Sequence, residues 1–274
     1  FKQKTAYEIG VRLVGSEMCI RDRFKIMKVI ILAAGIGNRL GKYSNDNPKS
    51  LLEFDGKSLL KRHVEILKEL YVEEIVIITG YKSEMIVEHL NDASIPIRFI
   101  FNERYAEGSI ISLGCAYDIL TNESDFILMD ADVLYDKNIL SRLFETKNKN
   151  CFLLDRNFES GDEPVKICVD KNGIINEFRK KISANHEYDF QGESVGFFKF
   201  DASVGKSLAS VINECIERGE TEMPYEDAIR EVLFKFPERF GFEDISGLPW
   251  IEIDFPDDIE RATHEILQKI SDIN

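Results

Sequence analysis

The chain has 274 residues, 44% of them hydrophobic and 31% charged, which suits a folded domain with ample length for a core. Its formal net charge of −14 argues against a nucleic-acid backbone as partner. Five cysteines are scattered, and the nearest two, Cys151 and Cys168, stand too far apart for a zinc knuckle, so a reducing, cytoplasmic setting is expected.

Phe1–Ile26 shows no sustained helical or strand period, no signal-peptide pattern, and only a short apolar run that cannot span a membrane. Its segment Thr5–Arg23 resembles translated sequencing-adapter read-through, so residues 1–26 read as a non-native or disordered extension, or as a genuine surface extension. A core strand begins directly after Met27, which makes 27–274 the domain.

Lys28–Ser50 (KVIILAAGIGNRLGKYSNDNPKS) organises the rest. Val29–Ala34 is apolar and bounded by Gly35, as a buried parallel strand should be. Gly35 and Gly37 let the backbone approach an anion and aim N–H groups at it. Arg39 and Lys49 add full positive charges, a recipe for holding a triphosphate. Two familiar patterns fail: Leu40 stands where a dinucleotide fingerprint needs glycine, and Ile36 where a Walker loop does. A plain glycine-rich turn remains the bland reading of the two glycines.

Ser58–Leu70 has helical spacing with a Ser cap, Glu74–Thr79 is a strand ending in Gly80-Tyr81, Ser83–Leu90 a short helix, and Ile97–Phe101 another strand. This alternation predicts an α/β fold with a mainly parallel, Rossmann-like sheet flanked by helices, its ligands beyond the strand carboxyl ends. Asn102–Leu113 leads into a helix whose start, Gly108-Ser109, offers free N–H groups and a hydroxyl; an ordinary Ser cap is the alternative. Asp125–Asp132 (DFILMDAD) is a strand ending in two carboxylates that alternation points the same way. Such hard oxygens suit Mg²⁺, although Asp also closes strands as a turn former.

Beyond it, Cys151–Asp155, Pro164–Val169, Ile174–Phe178 and Ser194–Phe200 read as short strands of a mixed β insertion, with turns at Ser160–Asp162, Asp170–Gly173 and Asp189–Gly192. Residues 150–230 would then supply an acceptor pocket. Asp162 and Glu193 belong to acidic stretches that could receive an ammonium group or form exposed turns. Ala202–Arg218 and Met223–Phe234 are amphipathic helices, and Pro249–Asp258 is a strand leading into a closing helix, Asp257–Ile270.

Leu32-Ala33-Ala34-Gly35-Ile36-Gly37-Asn38-Arg39 followed by Pro48-Lys49 resembles the signature loop of the nucleotidyltransferases that couple NTPs to phosphorylated sugars and alcohols, the MobA-like NTP transferases. The resemblance runs from about Met27 to Leu267 and implies a GT-A-like fold. The short spacer between Arg39 and Pro48 departs from sugar-specific members. The resemblance implies nucleotide contacts from Leu32, Ala33, Ala34, Gly35, Gly37, Asn38, Gly80, Gly108, Ser109 and Asp130. It implies Mg²⁺ on Asp132 and Asp254, and acceptor-side roles for Lys180, Tyr225 and Glu226, joined by Asp162 and Glu193.

In such a reaction an already ionised acceptor oxygen attacks the α-phosphorus and pyrophosphate leaves, so catalysis is positioning plus charge neutralisation. Arg39 would hold the β/γ-phosphates and Lys49 the charge developing at the α-phosphate. The resemblance is stronger to CTP-dependent enzymes of small phosphorylated alcohols and phosphonates: phosphocholine, 2-aminoethylphosphonate, inositol phosphate. A sugar-1-phosphate transferase using UTP or dTTP, and a non-catalytic nucleotide-binding module, are the alternatives. The partners expected are an NTP and a small phosphate or phosphonate acceptor, with no nucleic acid, no membrane insertion, and a homodimer left open.

Overall fold

The apolar run after Met27 becomes strand β1 (Lys28–Ala33), which lies inside a nine-stranded sheet. The computed structural model describes residues 27–43 and 47–271, so the expectations for Phe1–Ile26 fall outside the described residues. After β1 come a small hairpin, β2 (Glu53–Phe54) and β3 (Lys57–Ser58), and helix α1 (Leu59–Glu69), capped by the Ser58 hydroxyl accepting from the Lys61 N–H. Next are β4 (Glu74–Thr79), α2 (Ser83–His89), β5 (Ile97–Phe101), α3 (Ser109–Gly114) and α4 (Tyr117–Leu120). Then follow β6 (Phe126–Asp130), β7 (Val133–Tyr135), α5 (Lys137–Glu145), β8 (Asn150–Asp155), β9 (Lys166–Val169), β10 (Ile175–Arg179) and β11 (Phe190–Phe200). The chain closes with α6 (Ala202–Glu217), α7 (Tyr225–Lys235), β12 (Phe240–Asp244), β13 (Trp250–Glu252) and α8 (Pro256–Arg261).

The sheet order is β10-β9-β11-β6-β1-β4-β5, with β8 on β11 and β12 on β8. Strands β6, β1, β4 and β5 are mutually parallel, with Val29 opposite Ile75 and Ile127. Helices cover both faces of this core, which is why the interiors of β1, β4 and β6 are apolar on both faces. Ile30, Val76, Ile78 and Leu128 pack on one side, and Val29, Ile31, Ile75 and Met129 on the other. Strand β11 joins β6 antiparallel and carries the sheet on into β8, β9 and β10. Phe152 anchors that half, with ring centroids 5.0 Å from Phe178, 5.2 Å from Phe198 and 5.8 Å from Phe240, all near edge-on.

A separate two-stranded ladder positions the site. β13 runs antiparallel to β7, pairing Glu252 with Val133, and the Ile253 N–H donates to the Asp132 carbonyl at 3.0 Å. Leu40, Leu134, Ile251 and Ile253 cluster beneath it, fastening the glycine loop to the end of the chain.

Several expectations need correction. β6 ends at Asp130, and Asp132 lies in the bend beyond, so strand alternation does not relate the two. The expected turn at Asp189–Gly192 is largely strand: β11 starts at Phe190, and Gly192 pairs with Ile167. Glycine is required there by close approach, since a Cβ would lie 2.6 Å from the Leu154 side chain. Helix α5 and strand β12 lie outside the elements expected from the sequence. The closing helix breaks after Arg261 into a π turn, Ala262–Ile266, and a 3₁₀ turn, Leu267–Lys269.

Candidate active site

The loop after β1 turns through Gly37, whose φ of +71° excludes most side chains, into a 3₁₀ segment, Asn38–Tyr43, held down by the buried Leu40. A Cβ on Gly35 would meet nothing within 4 Å and would project into a cleft of about 490 Å³. Leu32, Ala33, Gly35, Gly37, Asn38 and Arg39 form one wall of it. Lys49, Asp132, Glu252 and Asp254 form its floor, and Ser109, Asp130, Tyr225, Glu226 and Lys180 the far side.

Lys49 bridges two carboxylates, 2.7 Å from Asp132 Oδ2 and 2.6 Å from Asp254 Oδ1. Burial opposes its charge, but Asp132 and Asp254 together outweigh burial and hold the ammonium well above its ordinary range. Arg39 reaches the same Asp254 through Oδ2 at 3.0 Å and stacks over Phe255. Oxygens of Asp132, Glu252 and Asp254 lie within 4.8 Å of one another. Asp132 Oδ1 is buried without a hydrogen-bond partner, so the donor set fits a hard divalent cation. Burial first, then Asp132 and Asp254, push Glu252 up to about 8. Glu252 is a site residue that the sequence also signalled: in Trp250-Ile-Glu-Ile-Asp254 it stands two positions before Asp254, as the last residue of β13 with Asp254 just beyond the strand.

On the far side, the Tyr225 hydroxyl donates to Asp130 Oδ2 at 2.6 Å. Gly196, with a φ of +77°, lets β11 pass, because a Cβ would sit 2.2 Å from that same oxygen. Burial, then Asp132 and Glu226, raise Asp130 well above the usual carboxylate range. Glu226 lines the cleft with Oε2 buried and unpartnered, and burial pushes it up to about 7.

A second cavity of about 400 Å³ shares Glu252 and Asp254 with the first. Asp155, Glu159, Asp162, Glu163 and Glu193 add carboxylates to it, and Phe158, Trp250 and Phe255 add aromatic faces. Glu193 is a strand residue between Asp155 on β8 and Lys166 on β9. Burial and then Asp155 push it up to about 7.

The proton linkage has a definite sign. Glu226 and Glu193 hold protons in the folded protein up to about 7, whereas their ordinary value is 4.5. Between those values the folded state binds more protons than the unfolded chain, so stability falls as pH rises. The melting temperature should therefore drop between pH 5 and pH 8, and drop less in Glu226→Gln, whose amide mimics the protonated acid. Superimposable melting-temperature profiles for the two proteins would show that Glu226 makes no such contribution.

Three residues expected at the nucleotide, Ala34, Gly80 and Gly108, are not among those lining the cleft. Ala34 is turned into the core, and its carbonyl accepts the Tyr81 N–H at 3.0 Å. Gly80 packs behind it, where a Cβ would fall 2.3 Å from Tyr105 Cβ and 2.7 Å from that carbonyl. Two N–H groups at the start of α3 are already taken: Gly108 donates to the Thr221 carbonyl at 2.9 Å and Ile110 to that of Met223 at 3.1 Å. The Ser109 hydroxyl accepts from the Tyr225 N–H at 2.9 Å, although the residue still borders the cleft. Asp162 and Glu193 line the second cavity, apart from Lys180, Tyr225 and Glu226 in the first. Among the described residues, no helix is long and apolar enough to cross a membrane.

Comparison with known proteins gives the family and the fold. A CTP:phosphoglutamine cytidylyltransferase from Campylobacter jejuni is 28% identical over 255 residues, covering 85% of this chain and 98% of the relative. A UTP–glucose-1-phosphate uridylyltransferase from Haloferax volcanii is 27% identical over 253 residues, covering 89% of this chain and 98% of its own. The fold matches the CTP:phosphocholine cytidylyltransferase of Streptococcus pneumoniae with a TM-score of 0.71 at 22% identity, over 89% of this chain and 100% of that one. The inositol-1-phosphate CTP transferase of T. maritima gives 0.70 at 20% identity, over 91% and 100%. The profile of the MobA-like NTP transferase domain matches residues 29–185, more than half of the sequence, and the chain belongs to that family of nucleotidyltransferases.

Proposed function

We propose that the protein is a Mg²⁺-dependent cytidylyltransferase that moves CMP from CTP to a small phosphonate or phosphorylated alcohol bearing an ammonium group. 2-Aminoethylphosphonate and phosphocholine are the acceptor type. The observation that carries this reading is the pairing of two cavities across Glu252 and Asp254, one with Arg39, Lys49 and Lys180, the other rich in carboxylates and aromatic rings. Cations in the first suit phosphates. Acids and π faces in the second suit an ammonium.

The acceptor oxygen attacks the α-phosphorus, its bond forms as the bridge to the β-phosphate breaks, and pyrophosphate carries the electron pair away. Gly35 and Gly37 bring backbone against the triphosphate, Arg39 holds its outer phosphates, and Lys49 neutralises charge growing at the α-phosphate. Leu32, Ala33 and Asn38 line the nucleoside side of the cleft, with Ser109 and Asp130 across from them. Asp132, Glu252 and Asp254 would hold Mg²⁺, which when bound neutralises charge on the reacting phosphate oxygens. Lys180 meets the acceptor phosphate, Tyr225 and Glu226 border it, and Asp162 and Glu193 face its ammonium.

Pyrophosphate release is the test, measured with CTP, UTP, dTTP, ATP and GTP against 2-aminoethylphosphonate, phosphocholine, inositol 1-phosphate and glucose 1-phosphate. Turnover with CTP and an ammonium-bearing acceptor supports the proposal. Turnover confined to glucose 1-phosphate with UTP or dTTP would replace it with a sugar-phosphate activity, as in the Haloferax relative. Glu193→Gln should raise the acceptor KM about tenfold for an ammonium acceptor and leave the KM for CTP unchanged, since a charge-assisted contact contributes about 1.5–3 kcal/mol. An unaltered acceptor KM would remove Glu193 from the site.

A further inference from the structure

Lys166, on β9, is only 8% exposed, and it donates to three backbone carbonyls: Gly161 at 2.6 Å, Lys180 at 2.7 Å and Pro164 at 3.3 Å. An ammonium has three protons, so these carbonyls take its full donor capacity. Two of them lie in the turn before β9 and the third lies just after β10. Lys166 therefore ties together two segments that are separate in sequence.

Those segments carry side chains that face each other across the site. Glu163 Oε2 is 3.3 Å from Lys180 Nζ and 3.0 Å from Arg39 Nη1. Lys180 lines the first cavity and Glu163 the second. The Glu163–Lys180 pair is itself a poor fastener: its side chains are 57% and 44% exposed, and an ion pair in water adds little. Charge-assisted bonds from a buried ammonium to backbone are stronger and shorter. The backbone bonds of Lys166, more than the ion pair, set where Lys180 and Glu163 stand.

We propose that Lys166 is a positioning residue for the acceptor half of the site. It fixes the Gly161–Pro164 turn against the Lys180 backbone, and so sets both Lys180 and the carboxylate wall that Glu163 contributes between the two cavities. The kinetic part of this inference rests on the proposed function; the structural part does not. A cation that grips a reacting phosphate must be held to within about an ångström, so loosening its backbone costs acceptor binding even though Lys166 touches no substrate.

The test is Lys166→Met, which keeps the stem and removes the donors. Hydrogen exchange on the protein alone should show the amides of residues 158–165 and 179–182 opening together, about tenfold faster, with β1, β4 and β6 unchanged. Unchanged protection in either segment overturns the proposal. With CTP and the preferred acceptor, the acceptor KM should rise about tenfold while kcat and the KM for CTP stay within about threefold. In a Lys180→Met background, adding Lys166→Met should raise the acceptor KM by clearly less than the roughly tenfold seen alone, because one of the two groups it positions is gone and only the Glu163 side remains. Full multiplication of the two effects overturns the proposal. Should Lys166→Met fail to fold, Lys166→Gln retains part of the bonding and should give an intermediate effect in both measurements. Absence of turnover in the unaltered protein would sink the cytidylyltransferase reading, and the exchange result would still decide the positioning role.

Discussion

Lys49→Met should slow nucleotidyl transfer by at least about a hundredfold, the effect of removing a preorganised donor from a developing anion. It should also make the fold depend on divalent cations. Lys49 neutralises Asp132 and Asp254 at 2.7 and 2.6 Å, on a floor that also holds Glu252. Without the ammonium those carboxylates face one another with only Arg39, half-exposed and paired with Asp254 alone of the three, and Lys180 across the cleft to offset them. Breaking a buried pair costs about 3–5 kcal/mol when one charge is left uncompensated. The melting temperature of Lys49→Met should fall by several degrees and recover in millimolar Mg²⁺, with a smaller Mg²⁺ response in the unaltered protein, where Lys49 already offsets two of the three carboxylates. Calorimetry with and without the ion, beside the pyrophosphate assay, reads both effects. A variant that keeps its turnover would remove Lys49 from the chemistry.

Gly108→Ala should be a folding defect, although the residue resembles a nucleotide contact in sequence. A Cβ there would lie 2.4 Å from the Glu222 carbonyl carbon and 2.4 Å from the Met223 oxygen. Both obstacles are backbone and cannot swing aside. Relief would require prising the segment before α7 away from α3, breaking the Gly108–Thr221 and Ile110–Met223 hydrogen bonds. Overpacking of this kind costs about 1–3 kcal/mol, and the lost bonds add to that. Chemical denaturation should show the loss directly. Nucleotide affinity of the fraction that remains folded should be close to normal; a stable Gly108→Ala protein with a raised KM for CTP would restore the residue to the nucleotide site.

Local chemistry was legible in the sequence wherever one segment carries its own meaning. The apolar run into Gly35 and Gly37 could only be a strand entering a tight loop, and the structure has β1 there with Gly37 at positive φ. Asp132 and Asp254 were readable as carboxylates following apolar strands, and Glu252 should have been, from its spacing to Asp254. Gly192 misled because glycine marks close approach as well as turns. Here it lets β11 pass beside Leu154, which turned an expected loop into strand and made Glu193 a largely buried cross-strand residue. Contacts made at long range carried no local signal. Nothing around Glu163 announces that it will meet Arg39 across 124 positions, and nothing at Thr221–Met223 announces that its carbonyls will take the N–H groups of α3.

The ladder between β7 and β13 also sets a schedule for the newborn polypeptide. Lys49 and Asp254 are 205 positions apart, so at about 5–20 residues per second the ribosome makes the loop some 10–40 s before its carboxylate partner. During that interval the glycine loop, Arg39 and Lys49 exist without the strand that turns a set of cations into a balanced site. A chain released before Trp250 would carry the phosphate-gripping half alone, and would be inert however well its parallel sheet had formed.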